Sequence, residues 1–88
     1  MPMKPETLVR LWAHNGRKER AIISAAGIAS HHGFYFVRGT GRPSVQCDTA
    51  WLSRFEDHDG NAIFVGFDHA TDRVLIETES GVIPDPRR

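Results

Sequence analysis

Tyr35 is followed within one short stretch by Arg38 and Arg42, and Arg17 and Lys18 lie upstream. An aromatic ring beside guanidinium and ammonium groups can stack on a base and neutralise a phosphate at once, which is the chemistry of single-stranded nucleic-acid binding. The run Gly33-Phe34-Tyr35-Phe36-Val37 also carries the Gly, aromatic and Phe-Val positions of the RNA-recognition strand signature. It departs at His32, Tyr35 and Gly39, and a helix rather than a strand is expected before it, so no family is assigned from it. Alternation along the strand sends Phe34 and Phe36 inward and leaves Tyr35 and Arg38 on the outer layer.

The other reactive side chains are scattered. His14, His31, His32, His58 and His69 are five imidazoles, but none recurs at the one-turn or tight-turn spacing of a metal site. Asp57, Asp59, Gly60 and Asn61 imitate the start of a calcium loop, yet the glycine comes two positions too early. They are read as a turn held by Asx hydrogen bonds. Cys47 is the only cysteine. With Asp48 beside it, nothing local favours a thiolate, so it is expected to be a small packing residue. Gly39, Gly41, Arg42 and Pro43 lack the Lys-Ser/Thr pair of a phosphate loop. No metal site, cofactor or catalytic residue is therefore assigned.

These residues need elements to hold them. Pro5-Glu6-Thr7 opens a helix, Leu8, Leu11 and Trp12 share its face, and Asn15-Gly16 ends it. A hairpin turning at Asn15-Gly16 is the competing reading. Ile22, Ala25, Ala26 and Ala29 predict a second helix within 17–30, with Gly27 against it and a strand as rival. Residues 34–38 read as a strand, 39–43 as a loop, and 48–56 as a short helix burying Trp51, Leu52 and Phe55, with a period-two strand as its rival. Residues 62–67 and 74–78 form a hairpin, and 84–88 a tail beyond a single domain at 1–83. The expected core is Trp12, Ile22, Phe34, Phe36, Trp51, Ile63, Val65 and Leu75.

Helices followed by strands, without βαβ alternation, give an α+β two-layer domain: three or four antiparallel strands with the N-terminal helix or helices on one face. A small all-β barrel is the alternative. The longest apolar run is too short to cross a bilayer, so no membrane partner is expected. The lone cysteine favours a reducing cytoplasm. Charge divides unevenly: residues 1–44 carry +5 and residues 45–88 carry −5, within a net charge of zero. If the fold separates the halves, the poles attract a second copy or an anion. The expected function is a non-enzymatic binding module acting as a homodimer, with Phe64, Phe67 and Ile76 at the interface because both faces of the 62–78 hairpin are apolar. A single-strand nucleic-acid binder using Arg17, Lys18, Tyr35, Arg38 and Arg42 is the alternative. A small enzyme with a site between subunits comes third.

Overall fold

The structure is a computed structural model, and it describes residues 3–14 and 25–83. Two helices precede five strands: α1 Pro5–His14, α2 Ala25–His31, β1 Tyr35–Pro43, β2 Trp51–Glu56, β3 Ala62–Asp68, β4 Arg73–Thr78 and β5 Gly81–Val82. The strands form one antiparallel sheet in chain order, β1-β2-β3-β4-β5. Sequential antiparallel neighbours need only short connections, and the chain supplies them. Asp57 Oδ1 accepts from the amides of Asp59 and Asn61 at 2.9 Å each, which closes the β2–β3 turn around Gly60 at φ 84°.

The sheet buries both faces. One face meets the helices: Phe55, Ile63, Val65, Val74 and Ile76 pack with Leu11, Ile28, Ala29 and Phe34, and Leu8, Trp12 and Phe67 seal the margin. A Schellman turn delivers Phe34 into this layer. The Gly33 amide donates to Ser30 O at 3.0 Å and the Phe34 amide to Ala29 O at 2.9 Å, while Gly33 takes φ 84°. The other face carries Leu52, Phe64 and Leu75, which the 44–50 segment covers with Ala50 and Cys47. Gly66 permits this second layer, because a Cβ there would lie 2.6 Å from Leu52 Cδ2.

The α+β layout with helices on one sheet face is present, as an open sheet of five strands. Three expectations are corrected. Residues 51–56 are strand β2, not helix, because Leu52 and Phe55 serve opposite cores. A single helical stripe could not reach both. The predicted 39–43 loop belongs to β1. Its pairing slips between Phe36↔Phe55 and Gly41↔Ser53, so a wide bulge holds the extra residues. Gly39 at φ 77° and a 2.9 Å bond from Thr40 Oγ1 to Val37 O shape that bulge. Phe36 and Trp51 are not core residues: they are 55% and 64% exposed. Ile22, the Asn15-Gly16 turn and the 84–88 tail lie outside the described residues, as does the first part of the predicted second helix, whose described part is α2. Among the described residues no helix is long and apolar enough to cross a membrane.

The charge asymmetry is partly consumed inside the fold. The helices, from the basic half of the chain, lie over β3 and β4, from the acidic half. Arg42 and Glu77 pair across that division at 3.1 Å.

Candidate binding surface

β1 is an edge strand of the sheet, and its Phe36 is 55% exposed. Directly opposed residues point to one face, so Phe36 with Phe55, Gly41 with Ser53, and Pro43 with Trp51 lie on the helix side of the sheet. There, Phe36, Gly39, Thr40, Gly41, Trp51 and Ser53 line a shallow groove. Among the described residues it contains two large aromatic rings, two hydroxyls and no charged side chain. The bulge shapes its floor, and Gly41 admits the Trp51 indole: a Cβ on Gly41 would lie 2.6 Å from Trp51 Nε1. The groove continues the core, since the rings of Phe36 and the buried Phe55 are 5.7 Å apart.

The opposite face of the same strands is polar and locked. Glu77 is fully buried. Its Oε1 accepts from Arg42 Nη2 at 3.1 Å and from the Val45 amide at 3.3 Å. Its Oε2 accepts from Ser44 Oγ at 2.5 Å and from Gln46 Nε2 at 3.2 Å. Ser44 Oγ in turn accepts from the amides of Gln46 and Cys47. Arg42 also donates to Thr78 O at 2.8 Å, and its guanidinium stacks 4.3 Å from the centre of the Phe64 ring. A buried carboxylate persists only when its lone pairs are satisfied, and this one has four donors. The arrangement fastens the 42–46 stretch to β4 and leaves the carboxylate no free edge for a substrate.

Of the residues expected to bind nucleic acid, Tyr35, Arg38 and Arg42 are described. Tyr35 pairs with Glu56 on the locked face, is half exposed, and its ring centre lies 5.9 Å from that of His58. Arg38 is exposed in the bulge. Arg42 is committed to Glu77, and Arg54 on the same face pairs with Glu56 and Glu79 at 3.0 Å each. Arg17 and Lys18 lie outside the described residues. The residues expected at a dimer interface sit inside the chain: Ile76 is fully buried, Phe64 is 7% exposed, and Phe67 is half buried with its ring against His69. Phe64 is covered by Arg42, Arg54 and the 44–50 segment rather than left open, so the apolar surface lies elsewhere.

Cys47 Sγ lies 3.1 Å from Thr49 Oγ1, and its thiol also bonds Asp68. The Thr71 hydroxyl, at 2.6 Å, is the main reason the Asp68 carboxyl lies below the usual value of 3.8, with the Ala70 and Thr71 amides and Cys47 assisting against burial. Burial pushes the Asp57 carboxyl up, but the Asn61 side chain and the amides of Asn61 and Asp59 outweigh it and hold it below 3.8. His58 and His69 sit on separate turns, whereas His14, His31 and His32 gather at the ends of the two helices.

Sequence reasoning missed the groove because Phe36 and Trp51 have the composition of core residues. The one available signal was Gly39-x-Gly41 beside aromatic residues, since glycine in a strand marks a bulge or a close approach. Comparison with protein-family models, with curated proteins and with solved structures finds no match for this chain.

Proposed function

We propose that the chain is a small, non-enzymatic binding module that works as a homo-oligomer, and that the Phe36–Trp51 groove is its contact surface. The observation that carries this reading is a pair of aromatic side chains, each more than half exposed, on a groove continuous with the main core. A core that opens at one edge is completed at lowest cost by apolar surface from another chain. Three features favour a second copy as the occupant. A two-fold contact places the same patch against itself, so an uncharged lining brings no like charges together. Aromatic anchors that fill each other's grooves are the usual source of interface energy. The bulge and Pro43 discourage edge-to-edge extension of the sheet through β1, leaving packing face to face. Nucleic acid has less support, because Arg42 and Arg54 are already paired with carboxylates. A single cysteine suits a reducing compartment such as the cytoplasm.

Sedimentation equilibrium at micromolar concentration tests the reading. A dimer in the wild type that Trp51→Ser or Phe36→Ser dissociates supports it, with dimer affinity falling at least tenfold. A monomer at all concentrations and salt levels, or a dimer indifferent to both substitutions, overturns it. Binding of single-stranded oligonucleotide by the monomer, lost in Tyr35→Ala, would replace it with the nucleic-acid reading.

A further inference from the structure

We infer that residues 84–88 of one copy lie in the Phe36–Trp51 groove of a second copy, as an extended polyproline-type segment. This rests on the homo-oligomer reading and names what each copy lays into the other. Phe36 is 55% and Trp51 64% exposed. No described residue accepts a hydrogen bond from the Trp51 indole N–H. Thr40 and Ser53 add hydroxyls to the same lining, and none of the described lining residues is charged. An aromatic groove of this kind is what proline-rich segments dock on. A polyproline II chain makes no internal hydrogen bonds, so its carbonyls are free to accept from the indole and the hydroxyls. The chain itself supplies such a segment directly after the last described residue: Pro84-Asp85-Pro86-Arg87-Arg88.

Composition, length and position agree. Proline fixes its own φ and confines the residue before it to extended backbone, so Ile83 to Pro86 has little freedom to lose on docking. With three residues per turn, Pro84 and Pro86 take two edges of a polyproline helix and Asp85 the third. Both prolines then meet the rings while the carboxylate stays in water. Five residues at about 3.1 Å each reach about 15 Å. Phe55, the partner of Phe36, lies four residues beyond Trp51 on β2, which is about 13 Å along the strand. One such segment therefore spans both rings. Its root is fixed, because Ile83 is buried in the helix-side core, on the sheet face that carries the groove. The chain's own groove suits it poorly. β5 and β1 are opposite ends of the strand order, and at the usual strand spacing β2 and β1 lie about 14–19 Å from β5. On that face α1 meets β4 and α2 meets β3, between root and groove. The whole segment would be used in crossing them. Exchange between two copies needs no such detour, and each contact then occurs twice about one two-fold axis.

The test is sedimentation equilibrium of the full chain beside a variant ending at Ile83 and the double variant Pro84→Gly/Pro86→Gly. The full chain is expected to dimerise, and both variants to lose at least about tenfold in dimer affinity, as removal of a central contact does. A synthetic peptide of residues 81–88, added to the variant ending at Ile83, is expected to shift the indole N–H resonance of Trp51 and not that of Trp12. It should shift neither in Trp51→Ser. A dimer that persists in both variants but dissociates in Trp51→Ser overturns the inference and leaves the homo-oligomer reading standing. A full chain that is monomeric at every concentration overturns both. If its Trp51 resonance also moves on truncation, the segment occupies its own groove instead. Should the shortened variant fail to fold, the proline variant and competition of the peptide with the full-chain dimer still decide.

Discussion

The two faces of this sheet are closed in opposite ways. On one, Leu11, Ile28 and Ala29 of the helices lie against Phe55, Ile63, Val65, Val74 and Ile76, and the contact is apolar. On the other, a loop lies over only Leu52, Phe64 and Leu75, and it is held by polar bonds that converge on Glu77 and Asp68. Apolar burial is non-directional and tolerates small shifts. Charged hydrogen bonds are directional, and they fail when one partner is lost. The comparison teaches that a small domain can cover a second sheet face with a loop, provided buried charge fastens it. The helix layer reaches Phe55 of β2, but Phe36 and Trp51 on the same sheet face stay more than half exposed among the described residues.

The largest expected effect tests the fastening. Glu77→Ala leaves four donors without their acceptor and should cost about 3–5 kcal/mol, the range for breaking a buried pair by removing one partner. Urea denaturation measures it, and hydrogen exchange should show the 44–50 amides opening first. A loss below about 1 kcal/mol would mean that the loop is held by Leu52 and Phe64 rather than by charge. Next in size, Ile76→Ala on the helix face should cost about 3 kcal/mol, within the usual range for truncating a fully buried aliphatic side chain. Its exchange signature should lie instead in α1 and α2, and faster exchange of the 44–50 amides in that variant would erase the distinction between the faces. Gly66→Ala forces a methyl against Leu52 and Trp51 O, each 2.6 Å away, and overpacking of this kind costs about 1–3 kcal/mol. A thermal midpoint equal to wild type would show that β2 can move aside.

The smallest effect concerns pH. Asp57 and Asp68 both ionise below 3.8 in the folded chain, so the folded state binds fewer protons than the unfolded state near that pH. Their contribution is complete above 3.8 and disappears as pH falls through the lower folded values. Thr71→Val removes the largest cause of the Asp68 shift and should move the acid unfolding midpoint to higher pH by a few tenths of a unit. Acid sensitivity should begin at the loop face, where Asp68 meets Cys47. Circular dichroism across pH 2–6 checks the midpoint, and an unchanged curve would separate Asp68 from the fastening.

Much of the layout was legible in residue order. Pro5, Glu6 and the Leu8-Leu11-Trp12 stripe marked α1, and the Ile63/Val65 and Val74/Ile76 alternation marked the β3–β4 hairpin. These signals are local: capping, helical period and strand period act over a few residues. The 51–56 segment was ambiguous because Trp51, Leu52 and Phe55 satisfy a helical stripe as readily as a strand. Only the neighbours decided it, once β1 and β3 supplied hydrogen bonds on both sides and each face offered a separate core.

The candidate surface was less legible than the fold. Sequence pattern placed Tyr35 and Arg38 outside and Phe36 inside, and it set Phe64 and Ile76 as interface residues. Burial depends on which layer lies above a residue, and period two says only that alternate side chains go to opposite faces. Phe36 is on the same face as the buried Ile63, but on the edge strand, and it is exposed among the described residues. Glu77 has the composition of a surface residue, and nothing within its own strand announces the four donors brought from residues 42–46. The sequence by itself determined the α1 helix, the β3–β4 hairpin, the single thiol and the balance of charge, all of which follow from composition and short-range order. Tertiary structure alone decided that Arg42 meets Glu77, that His14 meets His32, and that Phe36 and Trp51 face outward, because each depends on chain segments far apart in sequence coming to lie side by side.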